Sequence, residues 1–186
     1  MGVAILGFGT ILASVFMILT ILHYPDPRLR QKAEPILEIT REVQKLADDM
    51  AETMYAAPGV GLAANQVGVP IRMFVVDIAA EDEPSRLTTF INPEIVAKVG
   101  TQTWEEGCLS FPDVHEEIKR AETVTVRAQN REGKTFEIEV GGLMAVAVQH
   151  EYDHLEGVLM VDHMGALRKR MVQRQMEKRR SRDARP

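Results

Sequence analysis

Cysteine is nearly absent: the 186 residues contain one, Cys108. A lone thiol cannot close an internal disulfide, so the fold does not rest on oxidation and a reducing compartment suits it. No repeat at solenoid spacing is visible, which excludes an array. Charge is missing altogether from Met1 to Leu22. That apolar run reaches the roughly 20 residues needed to span a bilayer. No Lys or Arg precedes it and no clear cleavage site follows, so it makes a poor signal peptide. Gly2, Gly7, Gly9, Thr10, Ser14 and Thr20 weaken it as a span. We expect the folded domain to begin near Met17, with residues 1–16 an upstream extension or start-site artefact. Membrane anchoring by residues 1–22 is the alternative.

What is present is an ordinary globular balance, 45% hydrophobic and 26% charged, at a length that suits one domain. The formal net charge of −5 hides an asymmetry. From Arg168 to Pro186 nine Lys/Arg stand against two acids, a local +7, which leaves −12 for the rest. An acidic body with a basic tail points that tail toward a polyanion, RNA being the usual one; a solvated helix end is the plainer reading.

Pattern places the elements. Behind Thr40, an expected N-cap, Val43, Leu46, Ala47, Met50 and Met54 recur at helical spacing, and Pro58-Gly59 ends the helix. Ile71–Asp77 reads as a strand, Glu81–Ser85 as a polar loop, and Thr89–Asn92 and Glu94–Trp104 as strands interrupted by Pro93. Residues 122–128 and 135–140 alternate apolar and polar around Asn130-Arg131-Glu132-Gly133-Lys134, which predicts a hairpin. Leu143–Leu155 reads as a helix closed by Gly157. Asp162 is expected to cap a last helix whose Met164, Leu167 and Met171 face the body. The sum is an α+β fold, mainly antiparallel strands around a central helix, with a C-terminal helix. The domain is expected over 17–165 and the basic helix and tail over 166–186.

The central helix carries His150-Glu151-Tyr152-Asp153-His154, an H-E-x-x-H pattern. Residues four apart share one helical face, so both imidazoles can meet one ion, with Glu151 beside them to take a proton from activated water. Leu143, Val146 and Ala147 fall on roughly that face. A catalytic site wants three protein ligands and one open position. Cys108, in Glu106-Gly107-Cys108-Leu109-Ser110, offers a thiolate suited to zinc or ferrous iron; alone it would read as a small buried hydrophobe. In Gly59-Val60-Gly61-Leu62-Ala63-Ala64-Asn65-Gln66, small residues let backbone approach a ligand, and the Gln66 amide can face an oxyanion. The spacing does not match a phosphate loop.

These three segments, in this order, resemble the signature set of the peptide deformylases: G-x-G-L-A-A-x-Q, E-G-C-L-S and Q-H-E-x-D-H, here Gly59–Gln66, Glu106–Ser110 and Gln149–His154. Tyr24-Pro25-Asp26-Pro27-Arg28-Leu29-Arg30 is similar to the family's usual start, and the likeness runs from about Met17 to the C-terminal helix. The resemblance implies removal of the formyl group from the first methionine of nascent chains, with formate released. It implies one divalent ion on Cys108, His150 and His154, ferrous iron with zinc, nickel or cobalt able to substitute. Glu151 would be the acid/base, and Gln66 with the Leu109 N–H would face the formyl oxygen. Gly61 would lie along the substrate backbone, and Val60, Trp104, Leu143, Val146 and Ala147 would line the methionine pocket. It further implies a cytoplasmic monomer that acts on N-formylmethionyl peptides and docks on the ribosome through the basic helix. Two rival readings are a zinc metallopeptidase, which needs a third ligand downstream, and an RNA-binding protein whose metal is structural.

Overall fold

A computed structural model describes residues 16–80 and 82–183. Residues 1–15 of the expected extension over 1–16, Glu81 of the polar loop, and the last three residues of the basic tail lie outside the described residues. Residues 17–22 lie against the first helix, α1 (Arg41–Ala56). The Met17 N–H donates to Asp49 Oδ1 (2.9 Å), the Leu19 N–H to Thr53 Oγ1 (2.8 Å) and the Leu22 N–H to the Gln66 carbonyl (2.7 Å). The end of the apolar run is thus part of the folded body. Among the described residues no helix is long and apolar enough to cross a membrane.

Five antiparallel strands form the main sheet: β1 (Gly61–Ala63), β2 (Met73–Val76), β3 (Thr88–Val99), β6 (Thr123–Gln129) and β7 (Thr135–Gly141), paired in the order β1-β2-β3-β6-β7. β4 (Gln102–Gly107) and β5 (His115–Arg120) pair with each other as a separate ribbon. α2 (Gly142–Leu155) packs against β1, β2 and β5, so it lies between the two sheets. α3 (Ala166–Asp183) closes the chain. The α+β class, the antiparallel strands, the central helix and the last helix are as the pattern predicts.

Local chemistry explains the elements. On β6, Val124, Val126 and Ala128 point into the core and their neighbours do not, the period of a half-buried strand. The predicted hairpin forms: Asn130 accepts from Lys134 N–H through its side chain (2.9 Å) and donates to the Lys134 carbonyl through its backbone (3.0 Å). α2 ends as expected, with Gly157 at φ +72, where a Cβ would meet the Arg30 carbonyl oxygen at 2.5 Å.

Several expectations are corrected. Pro93 does not interrupt its strand. The β3–β6 register shifts between Ile91 and Glu94, a bulge in which the missing proline N–H costs no ladder bond. Asn92 (φ +50) pins this bulge by exchanging two 2.8 Å bonds with the backbone of Ile36. The run Glu94–Trp104 is two strands, split at Gly100 (φ +67), and its second part pairs with β5, which the pattern did not reveal. Thr40 stands at the N-cap of α1 with extended backbone, but its side chain makes no capping bond. Asp162 does not cap the last helix. It ends a 3-10 turn, Met160–Asp162, where its carboxylate accepts from the Leu159 N–H (2.9 Å) and meets Arg30 and Lys169. Because α3 starts only at Ala166, its phase differs from the expected one. Leu167 and Met171 are exposed, while Val172 and Met176, with Met164 ahead of the helix, pack on Phe111, Val114 and Ile118.

Candidate metal centre

Two elements deliver the candidate ligands. Cys108 follows β4 directly, and His150 and His154 project from one face of α2, four residues apart. Their ligand atoms all lie within 4.8 Å of one another, with Cys108 Sγ 3.3 Å from His154 Nε2. His150 and His154 are buried and Cys108 is partly so. One thiol and two imidazoles converging in a buried space suit a zinc or ferrous ion.

The histidines are oriented from behind. His150 Nδ1 donates to Glu106 Oε2 (2.8 Å), which leaves Nε2 for an ion, the usual support of a metal-binding imidazole. Glu106 is gripped by Arg120, Nε to Oε1 at 2.8 Å and Nη2 to Oε2 at 3.0 Å. The Arg120 Nη1 also reaches Asp153 Oδ2 (2.6 Å), which accepts from His163 Nε2 (2.8 Å). Glu106, Arg120 and Asp153 were missed as functional residues in the sequence. Glu106 and Asp153 stand inside the quoted segments Glu106–Ser110 and Gln149–His154, a signal that could have found them, whereas Arg120 shows only an ordinary charge on a short strand.

Electrostatics follows this arrangement. Burial opposes the charge on Glu106, but His150 and Arg120 outweigh it and hold its carboxyl down at about 2. Burial likewise disfavours a charged His150, yet the neighbouring Cys108 sulfur and Glu106 hold its pKa well above the usual histidine range. His154 goes the other way, pushed down by burial and by the charges of His150 and Arg120. Burial pushes the Glu151 carboxyl up to about 7. The Glu151 Oε2 is buried with no hydrogen-bond partner among the described residues, an orphan that a water on the ion would satisfy.

Gly61 faces Glu151 closely: a Cβ there would meet Oε1 at 2.5 Å. This is a second reason for glycine, beside the approach of a ligand. Gln66 is buried. Its Oε1 accepts from the Ala63 N–H (2.8 Å), and its Nε2 faces Ser110 Oγ (3.2 Å) and Cys108 Sγ (3.7 Å). The side-chain amide is thereby aimed at the sulfur end of the site.

The site opens into a cavity of about 590 Å³. Val60, Gly61, Trp104, Leu143, Val146 and Ala147 all line it. So do Gln66, Cys108, Leu109, His150 and Glu151. His154 sits behind this wall, 1% exposed. Val146 and Ala147 are buried, whereas Val60 and Trp104 are 45% and 40% exposed and form the rim. A cavity of mixed lining, with an apolar wall at Leu143, Val146 and Ala147 and a thiol, an imidazole and a carboxylate at its base, can hold an extended apolar group beside the place where water is activated.

Comparison with known proteins agrees with this geometry. The polypeptide deformylase family model matches residues 18–170. The peptide deformylase of Nitrosococcus oceani is 51% identical over 162 residues, covering 87% of this chain and 96% of the relative. That of Syntrophobacter fumaroxidans is also 51% identical over 162 residues, covering 87% and 95%. Among solved structures, a peptide deformylase from Legionella pneumophila superposes with a TM-score of 0.84 at 44% identity, covering 91% of this chain and 99% of that one. The Ehrlichia chaffeensis enzyme in complex with actinonin gives 0.84 at 32% identity, covering 88% and 98%.

Proposed function

The chain belongs to the polypeptide deformylase family, and on that premise we propose how its residues divide the work of the reaction. It is a hydrolase that removes the N-formyl group from the starting methionine of nascent polypeptides. Water adds to the formyl carbon, the C–N bond breaks, and formate and a free amine result. The observation that carries the assignment of roles is the convergence of Cys108, His150 and His154 within 4.8 Å, with Glu151 and the cavity beside them.

We assign Cys108, His150 and His154 to the metal. A divalent ion there supplies Lewis acidity, bringing the pKa of bound water to roughly 7. Ferrous iron is our choice of native ion, supported by the mixed thiolate and imidazole donors and by the family; zinc, nickel and cobalt fit the same donors. Glu151 takes the proton of the attacking water and returns it to the departing amine. The Gln66 amide and the Leu109 N–H meet the charge that develops on the formyl oxygen, where one such donor is worth ~100-fold or more in turnover. The substrate backbone lies along β1, an edge strand beside the cavity, next to Gly61. Its methionine side chain enters between Val60, Trp104, Leu143, Val146 and Ala147. A formyl carbon carries only hydrogen, so a narrow base admits it and turns away larger acyl groups.

We place the catalytic domain at 17–165, as a monomer in the cytoplasm, and assign residues 166–186 to docking on the ribosome. Salt-sensitive ribosome binding that is lost on deleting residues 168–186 tests that docking.

Formate release from formyl-Met-Ala-Ser, with metal analysis of the same sample, tests the reading. Formate in proportion to bound metal is expected, together with no cleavage of the unformylated peptide. Internal cleavage of the unformylated peptide would favour a metallopeptidase instead. If iron is native, activity decays in air and survives better with nickel or cobalt; equal persistence of the iron form counts against iron.

A further inference from the structure

The ligands of the proposed metal come from two separately built parts of the fold. Cys108 follows the β4–β5 ribbon, and both histidines belong to α2, which packs on the main sheet. The distance from sulfur to the two rings therefore depends on what fastens the ribbon to the helix. That fastening is concentrated at the end of β5. The Arg120 guanidinium holds both oxygens of Glu106, two residues before Cys108, and at the same time Asp153, the residue before His154. The next residue, Ala121, is clamped from α2 as well. Its N–H donates to Gln149 Oε1 and its carbonyl accepts from Gln149 Nε2, both at 3.0 Å. Glu106 in turn orients His150 (2.8 Å).

We propose that Arg120 is a positioning residue for the metal centre, setting the separation between the strand that delivers Cys108 and the helix that delivers His150 and His154. The inference rests on the metal assignment above. Stability alone is a poor explanation for this group. The side chains of Arg120 and Glu106 are 5% and 3% exposed, and a pair so dry repays little more than its own desolvation. What such a pair does supply is geometry. A planar fork meets one carboxylate with two parallel bonds and keeps a third donor for another. A lysine ammonium at the same place keeps the charge but not the fork. Arg120 does not line the cavity, so its effect reaches the reaction only through Glu106, Asp153 and the ligands they carry.

The test uses the full chain loaded with cobalt(II), whose thiolate absorption band reports the Cys108 bond, and follows loss of that band to excess EDTA. Arg120→Lys and Arg120→Met are compared with the parent at a temperature where circular dichroism shows all three folded. Partners of a metal ligand typically alter metal affinity ~10–100-fold. We expect metal loss to quicken in the order parent, lysine, methionine, with the last at least ~10-fold faster. Should Arg120→Met fail to fold with two carboxylates left facing each other, Arg120→Lys, which keeps the charge and leaves Glu106 and Asp153 intact, carries the test alone, with metal loss faster than the parent's expected. Met50→Ala, in the apolar cluster that α1 buries and that holds no metal candidate and no member of this network, serves as a control that lowers Tm. The proposal is overturned if the Arg120 variants lose cobalt within twofold of the parent, or if Met50→Ala loses it equally fast at the same drop in Tm. If the parent binds no cobalt, or binds it without the thiolate band, it is the metal assignment that fails.

Discussion

α2 and α3 are similar in length, 14 and 18 residues, and opposite in surroundings. In α2 the ionisable side chains His150, Glu151 and His154 are withdrawn from water among apolar neighbours. In α3 the cations Arg170, Arg174, Lys178, Arg180 and Arg182 face solvent, Arg168, Lys169 and Arg179 are half-buried against Glu116, Asp162 and Asp113, and only Val172 and Met176 are deeply buried. Burial makes each charge in α2 depend on a particular partner at a particular distance. Exposure makes the charges of α3 nearly interchangeable, a field rather than a set of contacts. Substitutions in α2 should therefore alter chemistry while a folded protein remains. Substitutions on the outer face of α3 should alter binding to a polyanion and little else.

Glu151→Ala is expected to break the α2 side of this contrast hardest. The carboxylate is not among the metal candidates, so metal content should hold while turnover falls by about 10²–10⁴-fold, the range for a general acid/base. Formate release and metal analysis on one sample decide it. A variant as active as the parent would remove Glu151 from the role. Gly61→Ala probes the same carboxylate from outside the helix. Its new Cβ would stand 2.5 Å from Glu151 Oε1, and the buried carboxylate must move to make room. A displacement of about 1 Å at a reacting group can cost ~10²-fold, so we expect kcat to fall with metal retained. Unchanged kcat would mean that Glu151 adapts freely.

How much of this was legible in the sequence follows the same division. The H-E-x-x-H spacing exposes both histidines because helical period alone puts them on one face. The Asn130–Lys134 turn was legible because its residues specify their own backbone. Arg120 and its pairing with Glu106 were not, since that partnership spans two strands and a helix and leaves no periodic trace. β5 was hidden for a related reason: His115-Glu116-Glu117-Ile118-Lys119-Arg120 has one apolar residue, and its buried arginine is satisfied by tertiary contacts alone. In α3 two stripes compete, Leu167 with Met171 and Val172 with Met176. The phase was decided by the turn through Asp162 to Gly165, whose length the pattern does not reveal.

That turn has a pH signature. Arg30, Lys169 and the Leu159 N–H hold the Asp162 carboxyl well below its ordinary value against the opposing effect of burial. A carboxyl depressed on folding adds stability that is complete above its unfolded pKa, near 3.8, and is lost as pH falls through the folded value. The Tm gap between the parent and Asp162→Asn should thus be widest above about pH 4 and shrink in acid. A gap that is constant with pH would show that the carboxylate charge does not brace the root of α3.

The smallest expected effect sits on the outer face of α3. Arg174 and Lys178 are exposed, one turn apart, and neither makes an ion pair among the described contacts. Replacing both by alanine should leave stability within about 0.5 kcal/mol per site and deformylation of a short peptide unchanged. Ribosome binding is where the pair would register. Two lost phosphate contacts lower the slope of log affinity against log salt by about two, since each contact contributes roughly 0.9 on a duplex. A fall in affinity with the slope unchanged would mean that the two residues act through shape rather than charge. No change in either would count against docking through the outer face of α3 and leave only its root, where Arg168 bonds Glu116 and the His115 carbonyl, both at 2.8 Å, with a demonstrated partner, the body of the protein itself.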